Sequence, residues 1–541
     1  MFLGDLMPTF NHLFLCCLAL LAVVLAFAVT PQAAAAQTTA FRQAVAEGAA
    51  RDDVLAEFYR AREFEGIWTG ATELDRARRN ALLAALAGAG DHGLPAAEYD
   101  PQTLMARLQA ANTPAQKGAI EVEMSRLFLS YANDIQTGIL TPRSVVSEIR
   151  REVPLRSRLE YLQGFLGSTP ASYLATLPPS SSEYARLLRE KMTLERLLAN
   201  GGWGPSVSSS SLAAGASGAG VVALRDRLVA MGHMERSATQ TYDVTIQAAV
   251  QRFQQAHGLT ADGDAGAATL AEINVPAASR LQQIIVAMER ERWMNRPRGE
   301  RHVWVNLVDF SAAIMDNDSV TFQTRSVIGA TGSGRQTPEF SDVMDHMVIN
   351  PSWFVPRSII VGEYLPAMQR SRDAISHILL TDGNGRTVNR GNVNFSNYTA
   401  RTFPFSMRQP PSSRNALGLV KFMFPNQYNI YLHDTPAKSL FAREIRAYSH
   451  GCIRLNDPFE FGHALLAAQE ADPEGYFQRI LNSGTETRVN LVDPVPVHIV
   501  YRTAFTHTTG QLNFRRDIYD RDSRIWNALA NEGVAVRAIG G

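Results

Sequence analysis

His433 and Cys452 lie a short loop apart in residues 431–457 (YLHDTPAKSLFAREIRAYSHGCIRLND), and His450 and Gly451 directly precede the cysteine. Such a group can make a sulfur nucleophile. A thiol of pKa near ~8.5 is mostly protonated at neutral pH, so cysteine catalysis needs an imidazole within hydrogen-bond reach of the sulfur. His433 and His450 are the two candidates for that base. Gly451 lets the chain turn tightly before the sulfur, and amides at such a turn can converge on an oxyanion.

Plainer readings exist for the same residues. A lone cysteine is also a small buried hydrophobe, and a lone histidine a satisfied polar residue. A Cys/His zinc site is a third reading, although zinc takes three or four compactly spaced ligands and no second cysteine stands nearby. Neither a metal nor a cofactor is expected.

The wording of the stretch goes further. His433, a spacer and then Ser449-His450-Gly451-Cys452-Ile453-Arg454 resembles the signature of the L,D-transpeptidases, the YkuD-like cysteine enzymes that cross-link peptidoglycan. INPSWFVP at 349–356, NALGLVKFMFPN at 415–426 and YLHDTP at 431–436 resemble the large, multi-domain periplasmic branch of that family. Many small members have His-Gly where this chain has His433-Asp434, so the carbonyl that orients the imidazole is open. The resemblance implies Cys452 as nucleophile, His433 as base, His450 and Gly451 shaping the catalytic turn, and Arg454 beside them. It also implies substrate contacts at Tyr431, Trp353, Asp434 and Ser449. Arg454, always charged, suits either a substrate carboxylate or carbonyl or a structural ion pair. The reaction implied is attack on the diaminopimelate carbonyl of a stem peptide, loss of terminal D-alanine, and capture of the thioester by an amine in a 3-to-3 link.

These residues need a scaffold, and the chain has 541 residues to build one, which is three or four domains' worth. Basic and acidic residues balance at 52 each, which argues against a nucleic-acid partner and leaves recognition to local sites. Residues 13–29 form an apolar run, and Ala34-Ala35-Ala36 offers small residues at a cleavage position, so a secretory signal over 1–36 and a periplasmic location are expected. An uncleaved membrane anchor is the other reading, because the segment before the run has no Lys or Arg. With the signal removed, Cys452 would be the only one of the three cysteines left, without an intramolecular disulfide partner.

The expected fold class is α+β multidomain: a helical N-terminal scaffold, a small three-helix module and a mainly β catalytic domain with an inserted cap. Residues 37–200 carry helical stripes such as Val54, Leu55, Phe58, Tyr59 and Met124, Leu127, Phe128, Tyr131, with Tyr184, Leu187, Leu188, Leu194, Leu197 and Leu198 at their end. LAEFYRAREFEGIW and LFLSYANDIQTGILTP resemble the scaffold domain of the large L,D-transpeptidases. Residues 201–220, rich in Gly and Ser, predict a flexible linker or loop. Residues 221–276 hold two helical stripes closed by HGLTADGDAGAATLAEIN and resemble a peptidoglycan-binding domain, with Asp264 where an apolar residue is usual.

Within residues 280–505, Leu281 to Trp293 predicts a helix, and strand rhythm follows from HVWVNLVDFSAAIMD onward, YNIYL at 428–432 included. Over 352–413 the rhythm breaks into a helical piece and a polar, turn-rich piece, as for a capping insertion. Residues 506–541 predict a polar, partly helical tail. The resemblance implies peptidoglycan and its sacculus as partner, with other cell-wall synthesis proteins as candidates. A secreted cysteine peptidase or carboxypeptidase trimming peptidoglycan and a non-catalytic wall-binding scaffold are the alternative functions.

Overall fold

The structure is a computed structural model, and it describes residues 31–332, 334–507 and 510–538. The expected signal over 1–36 falls almost wholly outside the described residues. Among the described residues no helix is long and apolar enough to cross a membrane. The chain forms two compact units: one from residues 1–136 and 155–178, the other from 137–154 and 179–541.

The first unit is helical. Its helices begin where short polar side chains satisfy the free amides: Asp52 accepts from Leu55 N, and Thr72/Asp75 and Ser157/Glu160 form capping boxes. Trp68, Phe128 and Phe165 stack in its core. There the buried Glu121 carboxylate accepts from the amides of Ile67, Trp68 and Thr69 and from the Tyr59 hydroxyl. A buried carboxylate with that many donors organises a turn rather than a reaction.

Within the expected scaffold of 37–200, residues 137–154 and 179–200 belong to the second compact unit. Helix Ser182–Ala199 joins the second unit, because Tyr184, Leu187 and Leu194 pack with Leu281, Ile284 and Met288 of helix Ala277–Arg292. Its Lys191 and Glu195 form a fully buried ion pair at 2.6 Å.

In the three-helix module of the second unit, Val221, Leu224, Leu228, Ile246, Val250 and Phe253 bury one another. The preceding segment, expected to be a flexible linker or loop, lies along this module instead. Val207 is buried in the module's core, its amide and carbonyl meet the Asn274 side chain, and Leu212 pairs with Ala265. Arg227 accounts for part of this, donating to the carbonyls of Gly204, Pro205 and Ile273. Polar side chains of the module thus supply partners that Gly/Ser composition cannot supply for itself.

Beyond it come β1 (Arg301–Asn306), β2 (Ser311–Asp316), β3 (Ser319–Gly329), β4 (Phe340–Ile349), β5 (Trp353–Phe354), β6 (Leu379–Thr381), β7 (Ser406–Gln409), β8 (Val420–Met423), β9 (Leu432–His433), β10 (Ala447–Ser449), β11 (Ile453–Leu455) and β12 (Thr487–Val500). The large sheet runs β10-β3-β11-β9-β8-β4-β12-β1-β2, and a further β2–β3 pairing closes it into a barrel. The interior is apolar, with Val303, Val305, Ile314, Ile328, Met347, Phe422, Leu432, Ile453 and Val497 inside. Alternation sends the intervening residues of each strand outward.

β5, β7 and β6 form a separate small sheet. With the helical stretch 357–370 they bury Trp353, Ile360, Leu365, Met368, Leu380 and Met407 as the cap's own core. The expected strand over 428–432 shrinks to Leu432–His433. Asn426 bonds through its side chain to Phe424 O, Tyr428 N and both Ile430 backbone groups, and Asn429 takes φ 54°, so an Asx-knotted loop wins over β-prone composition.

The last segment is built into the unit. β13 (Ala504–Thr506) pairs with β14 (Leu512–Phe514), and helix Arg521–Asn531 buries Ile525 and Leu529 with helix Ala277–Arg292. Arg521, expected on a polar tail, is fully buried because Glu339 lies 3.0 Å away.

Candidate active site

β11 lies between β3 and β9, while β10 pairs with the other side of the end of β3. The chain must therefore cross over the end of β3 between Ser449 and Ile453, and Gly451 does so at φ 119°. The crossing is held from several sides. Ser449 Oγ donates to Cys452 O and accepts from Gly451 N at 3.0 Å. Thr337 Oγ1 donates to Gly451 O at 2.7 Å and accepts from Gly329 N at 2.9 Å. Arg521 donates to Thr337 O at 2.8 Å, so the C-terminal helix reaches the catalytic turn through one residue.

Ser449, expected among the substrate contacts, is buried, and its hydroxyl is engaged in the turn. Gly451 N–H is taken by Ser449, whereas Cys452 N–H has no partner among the described residues. Gly451 O and Cys452 N–H belong to one planar peptide and point opposite ways. Thr337, by gripping the carbonyl, fixes the direction of the free amide.

Cys452 is half-buried. Its Sγ donates to Asn429 O at 3.4 Å, and Tyr431 beside the sulfur favours the thiolate. Burial nevertheless pushes the thiol up to about 11. Tyr431 also packs against the cap core that holds Trp353 and leans obliquely on His433, centroids 5.6 Å apart.

His433 is buried, and its Nδ1 meets the Asp434 carbonyl at 2.5 Å. That carbonyl can be satisfied only by a protonated Nδ1, which leaves Nε2 as the acceptor. Burial, and then the Arg454 charge, hold the imidazole down to about 3. Register places Arg454 directly beside His433 and Ile453 beside Leu432, so Cys452, Arg454, Tyr431 and His433 share the barrel's outer face. The expected His433–Cys452 hydrogen bond is absent, with the thiol turned to Asn429 O; a neutral thiol and a neutral imidazole are the resting pair. Such bonds commonly tighten only when substrate arrives.

The other expected residues divide. Trp353 is buried in the cap core and reaches the site through Tyr431. Asp434, expected to touch substrate, is buried with its carboxylate committed to Leu419 N at 2.9 Å and Lys438 Nζ at 2.8 Å. His450 Nε2 meets Glu363 of the cap at 2.7 Å, and the same carboxylate pairs with Arg335 at 2.6 Å. His450 is therefore a tie between turn and cap. Arg454 makes no ion pair among the described residues, and its Nε is buried without a partner.

Sequence reasoning missed Thr337, Asn429 and Lys421. Lys421 had a visible signal, a lone charge inside the apolar run GLVKFMF. It pairs with His433 across β8–β9 on the same outer face. Thr337 and Asn429 carried none, being ordinary polar residues in loops.

Three family models match the chain: the L,D-transpeptidase catalytic domain over residues 300–497, the "Putative peptidoglycan binding domain" over 217–273 and the scaffold domain over 53–190. A curated "Putative L,D-transpeptidase" of Haemophilus influenzae (strain ATCC 51907 / DSM 11121 / KW20 / Rd) is 28% identical over 243 residues, which cover 44% of this chain and 48% of that protein. The chain thus spans about half the length of the curated relative it matches. Among solved structures, the L,D-transpeptidase (residues 123–326) of Xylanimonas cellulosilytica DSM 15894 is similar at 14% identity and TM-score 0.16, over 55% of this chain and 100% of that one. An L,D-transpeptidase of Stackebrandtia nassauensis is similar at 13% identity and TM-score 0.22, over 55% and 97%.

Proposed function

We propose, from the premise that this chain carries an L,D-transpeptidase catalytic domain behind a peptidoglycan-binding domain and a scaffold domain, that it joins peptidoglycan stem peptides through a thioester on Cys452. The observation that carries this reading is Cys452 on one barrel face with His433, an imidazole whose Nδ1 is committed to the Asp434 carbonyl, which makes Nε2 the nitrogen that would take a proton.

The steps follow from the groups present. Rotation about the Cys452 side chain swings the sulfur from Asn429 O toward His433, whose Nε2 takes the proton. The thiolate attacks the carbonyl of the third stem residue, and the Cys452 N–H, aimed by Thr337, donates to the oxyanion. His433 returns the proton to the departing D-alanine amine as the C–N bond breaks and the thioester remains. An amine of a second stem then attacks the thioester, giving up its proton to His433 and releasing the sulfur. The cap's Trp353 and Tyr431 roof the site and favour an amine over water as acceptor. The module of 217–273 serves as the tether to the sacculus. On this reading the protein works at the cell wall across the inner membrane, in keeping with the apolar run of residues 13–29.

Incubation of the purified chain with a tetrapeptide stem, followed by mass spectrometry, tests the reading. An acyl increment on Cys452 and cross-linked dimers are expected, and Cys452→Ala should lose both while keeping its unfolding transition. Free tripeptide without dimers would replace cross-linking by carboxypeptidation. No increment at all would overturn the nucleophile.

A further inference from the structure

Three basic side chains stand in file on the outer face of the barrel. Arg454 pairs with His433 across β11–β9, and His433 with Lys421 across β9–β8. Residues paired directly across strands point to the same side, and with strands ~4.8 Å apart the file spans about 10 Å. The neighbours of Lys421 in its strand, Val420 and Phe422, are wholly buried in the barrel core, so the lysine faces out with His433.

Neither flanking cation has a counter-ion. No hydrogen bond or ion pair joins Arg454 or Lys421 to any described residue, and Arg454 Nε is buried and unpartnered. Exposed Glu486 acts on Lys421 through space without pairing to it. Other cations buried in this unit find acceptors within the chain: Arg290 and Arg521 at Glu339, Arg502 at Glu291, Arg515 at Asp309, and Arg151 and Arg227 at a hydroxyl and at backbone carbonyls. Desolvating a charge without pairing it is unfavourable, so two such charges beside one catalytic imidazole need a reason outside the folded chain.

We propose that Lys421 and Arg454 form a carboxylate-binding subsite on the two sides of His433, which takes a peptide bearing a free carboxylate beside its scissile carbonyl. The inference rests on the reading of Cys452 as an acyl-transfer nucleophile and adds what the donor must carry. It also links recognition to chemistry. Arg454 and Lys421 both depress the proton affinity of His433, and a bound carboxylate cancels that push at the moment the imidazole must accept the thiol proton. A donor lacking the carboxylate would bind more weakly and meet a weaker base.

A stem tetrapeptide offers two carboxylates near the scissile bond, on the side chain of the third residue and on the terminal D-alanine. Three peptides separate them: one with both free, one amidated at the side chain, one amidated at the terminus. Calorimetry on the full-length Cys452→Ala protein measures binding without turnover. One of the two amides should bind at least about tenfold more weakly than the free peptide, the scale of a lost charge-assisted hydrogen bond, and that amide identifies the carboxylate. Adding Lys421→Met should shrink the ratio to about threefold or less, while Lys421→Arg preserves most of it and certifies the fold. Equal binding of all three peptides, or a ratio that survives Lys421→Met, overturns the subsite. If wild-type Cys452 is acylated by the free peptide in that case, the transfer reading stands alone. If the free peptide neither binds nor acylates, both fall together.

Discussion

Arg290 and Arg521 are buried against Glu339 and Asp522, with bonds of 2.6 to 3.0 Å binding helix Ala277–Arg292, the start of β4 and the C-terminal helix. Arg454 and Lys421, in the same compact unit, lie half-buried on the barrel's outer face with no carboxylate in pairing distance. The first group shows what charges look like when they serve architecture: removing one partner would strand another in a dry place. The second shows charges whose partners are not part of the chain. The contrast teaches that in this protein a cation's role is read from whether the chain supplies it with acceptors, rather than from its depth.

The comparison can be broken or sharpened by substitution. On the active face, His433→Ala should slow acylation of Cys452 by ~10²–10⁴-fold, the usual loss of a general base, with little effect on folding. His450→Ala, which frees only an exposed tie to Glu363, should not do the same; rates from stopped-flow acylation that rank the two the other way would misassign the base.

Among the paired charges, Glu339→Ala leaves Arg290 and Arg521 short of a counter-charge and should destabilise the unit by about 3–5 kcal/mol. Lys421→Met should leave stability unchanged or raise it. Urea unfolding of the two variants side by side decides the matter, and equal losses would erase the distinction drawn between the two groups.

Thr337 joins the regions, since Arg521 holds its carbonyl and its hydroxyl holds Gly451 O. Thr337→Val should lower kcat by roughly tenfold or more, in line with the ~1–3 kcal/mol cost of an unsatisfied buried group, with KM little changed. Thr337→Ser, which keeps the hydroxyl, should restore most of it. A loss in Tm without a change in kcat would make Thr337 merely structural.

The smallest effect is on pH dependence. Folded His433 and His498 are each held to about 3 against an ordinary 6.5, so between those values the unfolded chain binds protons that the folded chain refuses. Stability is therefore lost as pH falls through that window, and His433→Gln should flatten the acid limb. Cys452, raised to about 11 from 9.0, works in the opposite sense: the folded chain keeps a proton that the unfolded chain releases, and stability falls as pH rises across that interval. Cys452→Ala should remove this alkaline loss. Chemical-denaturation curves across pH would show both.

Much of the site could be read from the chain because it is contiguous. Ser449 to Arg454 is a single string, and its cysteine, its glycine turn and its neighbouring histidine needed no fold to be noticed. The helical stripes of the N-terminal unit, the apolar core of the three-helix module and the cap insertion were legible for a similar reason: each is a local pattern of period or composition. Local composition misled where side chains from elsewhere stepped in. Asn426 knotted a loop inside the β-prone 428–432, and Asn274 with Arg227 held the Gly/Ser segment in place.

What only the tertiary structure decided was pairing. That Arg454, His433 and Lys421 form one file depends on the register of three strands that lie apart in sequence. That Ser449 occupies the Gly451 amide, that Asn429 O holds the resting thiol and that Thr337 aims the Cys452 amide are facts about which donors meet which acceptors across loops. Residue type sets how many hydrogen bonds and charges a group can make, and sequence carries that in full. Whether those capacities are filled from within or left open to a substrate is set by distances of a few ångströms between segments that only folding brings together.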